Sequence, residues 1–322
     1  ITGTVNAGDP IIINLPNISI DDAGTYTCTV TSEEGCESDP ISVTVNVLPT
    51  PEIENISGGG DYCEGDDVML SATNSVGGVG QVNYTWTGPN GVVASGTTGP
   101  NGPFDATIPG VTLNDAGEYC LTLESEQGCG SDEMCVTVNV NPLPIITNVS
   151  GDGVYCEGDL TMITADILLN GNTSVDWTVS GPGLDESGTA TTDEMLSFDI
   201  TVSGSTAGVY TITATSEDGC EANSQTVNIE LNDVPTPTLT AEPNPICEGD
   251  EITLTSSDLQ GQEVTYEWFF NGNSIGTSDA PVFVVQAGTT GEYSVVATVD
   301  GCNSEVSASV VVDVIPAPTA ND

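Results

Sequence analysis

The side chains with chemistry to offer are thiols and carboxylates. The chain carries ten cysteines and 48 Asp and Glu residues, but no Lys, Arg or His. That missing half of the charge set excludes several functions. Nucleic acid needs a cationic footprint. Phosphate and carboxylate clamps need Arg or Lys. Imidazole acid–base catalysis and His-ligated metals need His, and a Lys–Asn isopeptide crosslink needs Lys. Paired carboxylates can hydrolyse glycosides, but 48 of them make chance pairs in any fold and no cleft is legible, so an enzyme is not expected. Two chemistries remain: disulfide formation, and oxygen ligation of a hard cation.

The cysteine spacing repeats. Cys63, Cys156 and Cys247 each open a Cys-Glu-Gly-Asp stretch, at intervals of 93 and 91 residues. Cys36, Cys129, Cys220 and Cys302 each follow a glycine, in Glu34-Gly35, Gln127-Gly128, Asp218-Gly219 and Asp300-Gly301. A fixed period of this length marks an array of similar units. Cysteines at repeating spacings point to disulfides and an oxidising, extracellular setting. No apolar run approaches the 18 residues or so that a spanning helix needs, and membrane insertion is not expected. No leader pattern stands at the N-terminus, where Ile1 reads as an internal cut.

The elements that must position these residues are strands. Hydrophobic residues make up 37 % of the chain and fall in alternating Val, Ile, Leu and Thr runs, unlike an acidic disordered tail. Asp22-Ala23-Gly24-Thr25-Tyr26-Thr27-Cys28 has the pattern of an immunoglobulin F strand, in which the tyrosine hydroxyl ties a corner back to the backbone. Tyr119, Tyr210 and Tyr293 repeat it. The expected fold is all-β: tandem immunoglobulin-like β-sandwich domains in an elongated array. Residues 1–48 form the C-terminal part of a truncated domain, and full domains occupy 51–141, 144–231 and 237–315. Short Pro-x-Pro joints between them favour a rod over flexible beads. Trp86, Trp177 and Trp268 take the place of the buried strand-C tryptophan, and core is the expected role of all three. The Trp-to-Tyr separations of 33, 33 and 25 residues suggest that the last domain lacks a hairpin or long loop between strands C and E. Ala72, Ala165 and Ser256 stand where strand B would carry its disulfide cysteine, so apolar packing replaces that bridge.

Two-residue F–G turns, of type I′ where Asp-Gly stands, place Cys120 opposite Cys135 as a cross-strand disulfide. Cys36, Cys129, Cys220 and Cys302 then sit at hairpin tips, whereas Cys63, Cys156 and Cys247 sit beside the turn into strand B. These are opposite poles of a sandwich, about 20 Å apart, too far for a bridge. Two pairings stay open. One is within domains (Cys63–Cys129, Cys156–Cys220, Cys247–Cys302), which requires a different strand placement. The other joins the base of one domain to the tip of the next (Cys63–Cys220, Cys156–Cys302). Cys28 and Cys36 are expected to find partners before residue 1. Glu64, Asp66 and Asp67 at the turn and Asp115 at the corner lie at one pole, and oxygen ligands at a domain junction suit Ca²⁺. The plainer reading has turn carboxylates solvated, with Asp serving its own turn.

Cys-Glu-Gly-Asp, a strand, Trp, Gly-x-Tyr, and Gly-Cys after a hairpin turn together resemble the Ig-like repeats of large secreted Bacteroidota proteins. These include the giant gliding-motility adhesins (SprB-like) and other type IX secretion cargo. The resemblance covers the whole chain. It implies a cell-surface location, partnership with secretion and surface-anchoring machinery and with other domains of a long chain, and a stalk or adhesin role. Alternatives are a module whose loops bind a glycan or protein ligand, and a surface-filament subunit.

Overall fold

The computed structural model describes residues 1–74, 80–99, 102–261, 263–307 and 309–318. The chain is all-β and divides into two compact units, residues 1–142 and 143–322.

In the first unit, β1 (Gly24–Cys28) and β2 (Ile41–Val45) form an antiparallel pair with Cys28 opposite Ile41. Eight further strands make a sandwich: β3 (Ile53–Ser57), β4 (Gly60–Cys63), β5 (Val68–Asn74), β6 (Val82–Gly88), β7 (Gly91–Thr98), β8 (Ala106–Ile108), β9 (Gly117–Ser125) and β10 (Met134–Asn141). One sheet has the order β3-β5-β8 and the other β4-β10-β9-β6-β7. Strand alternation fills the space between them. Val68, Leu70 and Ala72 of β5 face Trp86, Leu121 and Leu123, all buried. Ala72 and Leu121 thus pack where a B–F disulfide would otherwise lie. The chain changes sheets between β3 and β4 at Gly58, whose φ of +103° suits only glycine. A Cβ there would lie 2.3 Å from the Met69 carbonyl oxygen.

The second unit holds two sandwiches in series with separate cores. The first uses β11 (Ile145–Ser150), β12 (Gly153–Cys156), β13 (Leu160–Leu168), β14 (Val175–Gly181), β15 (Leu184–Ala190), β16 (Glu194–Thr201), β17 (Gly208–Ser216) and β18 (Gln225–Asn232). Its sheets run β11-β13-β16 and β12-β18-β17-β14-β15. The second uses β19 (Leu239–Glu242), β20 (Ile246–Cys247), β21 (Glu251–Ser256), β22 (Val264–Phe270), β23 (Asn273–Ser278), β24 (Val282–Gln286), β25 (Gly291–Val299), β26 (Cys302–Asn303), β27 (Val310–Val312) and β28 (Val314–Ile315). Here β19-β21-β24 faces β23-β22-β25-β26, with β27 also on β25 and β20 pairing β28.

Three expectations need correction. Trp177 does not fill the strand-C core slot. Trp86 lies opposite Leu121 and Trp268 opposite Val295, each two residues after the corner tyrosine. In the middle sandwich that partner, Ile212, faces Val179, while Trp177 faces Ala214. Val179 is fully buried. Trp177 is half-buried at the edge of the core, tilted against Phe198 with ring centroids 6.1 Å apart. It occupies the slot of Tyr84 and Tyr266, and equal Trp–Tyr spacing conceals a two-residue shift along the strand. Second, the last sandwich keeps its C–C′ hairpin as β22–β23. Against the first sandwich, its shorter Trp–Tyr span comes from a shorter β23 and from shorter connections on both sides of β24, so what is missing is loop length and not the hairpin. Third, of the four F–G turns only Asp300-Gly301 has positive φ at both residues (48° and 87°). At Gly35, Gly128 and Gly219 the glycine alone is positive, and Ser32, Ser125 and Ser216 close the turn by accepting from the glycine N–H at 2.9–3.0 Å. That is a type I turn with a glycine bulge. In the first unit a second irregularity over Ser131–Glu133 offsets this bulge. Glu124 pairs with Gly130, whereas further along Leu121 pairs with Met134, so Cys120 still faces Cys135.

Candidate functional site: cysteine bridges and junction turns

Each letter of Cys-Glu-Gly-Asp has a structural task. The cysteine ends a short strand that runs parallel to the last long strand of its sandwich, with Cys63 opposite Asn141, Cys156 opposite Asn232 and Cys247 opposite Ile315. The Glu N–H closes that pairing, donating to the Asn141 carbonyl from Glu64 and to the Ile315 carbonyl from Glu248, both at 2.9 Å. The glycine adopts positive φ (97°, 91° and 89°) and donates across the pole to Val111, Val202 or Ala287 at 2.7–2.8 Å. The aspartate returns a hydrogen bond to the cysteine carbonyl at 3.0–3.1 Å, and the Asp66 and Asp159 carboxylates accept from the Cys63 and Cys156 N–H at 2.8 and 2.9 Å.

The opposite pole is built by the hairpin tips. Ser32, Ser125 and Ser216 each exchange backbone bonds across the turn, and their Oγ accepts the N–H of Cys36, Cys129 or Cys220 at 3.1–3.2 Å. The Ser-x-x-Gly-Cys spacing carried this signal, and it went unread. So did a second set of tyrosine ties. Besides Tyr26 to the Asp22 carbonyl and Tyr119 to the Asp115 carbonyl, Tyr62 and Tyr155 donate to the carbonyls of Gly58 and Gly151, four residues back, at the sheet switch. Tyr210 donates to the Thr206 and Pro182 carbonyls. Tyr293 is buried with its ring 4.8 Å from that of Phe270.

Disulfides fix this frame. Cys120–Cys135 bridges β9 and β10 with Cα atoms 4.0 Å apart. Cys156–Cys302 joins the base of one sandwich of the second unit to the hairpin tip of the next, with Cα atoms 5.5 Å apart and a sequence separation of 146. The tip is seated as well as bridged. Asn232 Nδ2 lies 3.4 Å from the Asp300 carbonyl oxygen, the Cys302 sulfur lies 4.0 Å from the Asn232 carbonyl oxygen, and Cys302 is 1 % exposed. Cys28, Cys36, Cys129 and Cys247 are free thiols. The within-domain pairings Cys63–Cys129, Cys156–Cys220 and Cys247–Cys302 are therefore not formed, because base and tip stand at opposite ends of each sandwich.

The proposed calcium ligands are not brought together. Asp66 is occupied by its own turn. Asp67 Oδ1 accepts from the Gly110 N–H at 2.8 Å. Asp115 accepts from the Thr112 N–H and hydroxyl at 2.8 and 2.7 Å and from Asn90 at 3.0 Å. The Thr112 backbone bond, then its hydroxyl, hold the Asp115 carboxyl below its ordinary value. Glu64 joins neither. Among the described residues, three ligand atoms of Cys, Asp or Glu converge within 4.8 Å only at Cys120, Glu133 and Cys135, where both sulfurs are spent in a disulfide. Another carboxylate serves as a clamp. Glu217, beside the Cys220 tip, accepts from Thr173 N–H and Oγ1 and from Ser174 N–H at 2.7–3.0 Å. The Thr173 backbone bond leads in lowering its pKa to about 2.

The cysteine-linked sandwiches can be set beside known proteins at this point. Residues 235–316 match the family profile described as "Ig-like domain CHU_C associated". The last sandwich is thus a recognised Ig-like domain. Among curated proteins, human Hemicentin-1 is 24 % identical over 270 residues, covering 82 % of this chain and 5 % of that protein. Internalin I of Listeria monocytogenes serotype 4b is 26 % identical over 321 residues, covering 92 % of this chain and 16 % of that protein. The chain thus spans a small fraction of either relative. Similar solved structures include the I-band fragment I67–I69 of titin (TM-score 0.39, 14 % identity, 84 % of this chain and 100 % of that one). A bacterial ice-binding adhesin is another (TM-score 0.38, 13 % identity, 82 % and 97 %).

Proposed function

We propose that this chain is a load-bearing stalk segment of a long extracellular repeat adhesin. It is not an enzyme: its last sandwich matches an Ig-like domain, a non-catalytic module, and the pole carboxylates Asp66, Asp67, Asp115 and Asp159 are each engaged by backbone N–H groups. The observation that carries the proposal is the Cys156–Cys302 bridge. A disulfide inside a sandwich protects that sandwich, whereas one from base to tip of successive sandwiches serves the junction. The resemblance of the repeat to gliding-motility adhesins supports a place at the cell surface and export as type IX cargo. The lack of cationic side chains suits a role in which lateral association with acidic neighbours is avoided.

Pulling the chain from its two ends tests the mechanical role. With the bridge intact, 146 residues stand outside the load path. At about 3.3–3.6 Å per extended residue, and with Cys63 and Cys220 replaced by serine in both chains so that no overlapping bridge shortens the path, the oxidised chain should fall short of the Cys156→Ser/Cys302→Ser variant by about 500 Å at full extension. Equal contour lengths would refute the proposal.

A further inference from the structure

We infer that Cys247 is a receiving site for the Gly-Cys hairpin tip of another sandwich of this class. The receiver occupied at Cys156 has four parts: a cysteine ending a short strand, a parallel partner strand ending opposite it, a Cys-Glu-Gly-Asp turn, and an exposed pole. Cys247 has all four. It lies opposite Ile315 in the parallel β20–β28 pair, as Cys156 lies opposite Asn232 in β12–β18. Asp250 donates to the Cys247 carbonyl at 3.1 Å, the distance found from Asp159 to Cys156, and Gly249 and Gly158 reach across the pole alike at 2.8 Å. Cys156 is bonded to a hairpin tip; Cys247 is a free, exposed thiol. Beside it Ile315 is 53 % exposed, offering an apolar contact where Asn232 offers a hydrogen bond.

The occupant is defined by the tips this chain already carries. Cys129 and Cys36 stand at hairpins with the Ser-clamped Gly-Cys geometry of the buried Cys220 tip, and both are free. The chemistry balances with a glutathione disulfide as oxidant. One tip thiolate displaces glutathione from that disulfide. The Cys247 thiolate then attacks the tip sulfur of the mixed disulfide and releases the second glutathione. Two protein thiols become one disulfide, and one glutathione disulfide becomes two glutathiones.

The inference rests on the stalk proposal, and the test separates the two. The full chain, at high concentration and about 0.15 M salt to screen its charge, is equilibrated with glutathione disulfide. Linked peptides are then mapped after cleavage at acidic residues. Expected are multimers joined through Cys247 to Cys129 or Cys36, abolished by Cys247→Ser and by Cys36→Ser/Cys129→Ser together, and retained in Cys28→Ser. A Cys156–Cys302 peptide should persist in every variant as the sign of an intact fold. A persistent monomer, or Cys247–Cys247 or Cys247–Cys28 links as abundant as tip links, would overturn the inference. Absence of the Cys156–Cys302 peptide in the unmodified chain would overturn the stalk proposal instead.

Discussion

Two tryptophans that look alike in sequence have different weights. Trp86 is fully buried and donates to the Phe104 carbonyl at 3.1 Å. Trp177 is half-buried, and its indole N–H is buried without a partner among the described residues. Truncating Trp86 to alanine should cost its sandwich about 3–5 kcal/mol. Trp177→Ala should cost clearly less, since it leaves Val179 in place. Denaturant unfolding of the two variants decides it, and equal losses would contradict the register. Aligning Gly88-Pro89 with Gly181-Pro182, rather than aligning tryptophans, would have exposed the shift. Glu217 makes a second residue-scale prediction. Its folded pKa of about 2 lies below the ordinary 4.5, so its stabilising effect is full above pH 4.5 and fades as pH falls toward 2. The stability gap between the wild type and Glu217→Gln should close over that window; a gap constant with pH would argue against the clamp.

Among the elements, the sheet switch and the junction turn both depend on glycine, for separable reasons. Gly65 has a φ of +97° with open space around it, so Gly65→Ala should cost about 1–2 kcal/mol for the backbone alone. Gly58 adds a collision with the Met69 carbonyl, and overpacking of that kind costs about 1–3 kcal/mol more. Gly58→Ala should therefore be the worse of the two in chemical denaturation; the reverse order would mean the switch is not rigid. Strand alternation, the tyrosine corners and the placing of base and tip cysteines at opposite poles were all readable from residue order, because each follows from local period and turn chemistry. Choosing between within-domain and base-to-tip bridges was not readable, because pairing depends on how successive sandwiches meet. The carboxylates read as calcium ligands stay apart for a local reason. Asp66, Asp67 and Asp115 are each engaged by nearby backbone N–H groups, which a count of acidic residues at one pole does not reveal.

At the scale of the whole molecule, a formal charge of −48 with no compensating side chain means that folding proceeds against self-repulsion. Raising ionic strength from about 0.01 M to 0.15 M shortens the Debye length from about 30 Å to about 8 Å. The thermal midpoints should rise over that range, and a flat or falling response would mean that the carboxylates are already spaced beyond mutual reach. The base-to-tip bridge has one more consequence. It closes the backbone from Cys156 to Cys302 into a covalent ring that contains the whole connection between two sandwiches. A protease that cuts once anywhere inside that ring, including at the exposed Asp233, opens a loop but separates nothing. Two pieces of polypeptide remain one molecule, and whatever the far end holds stays attached.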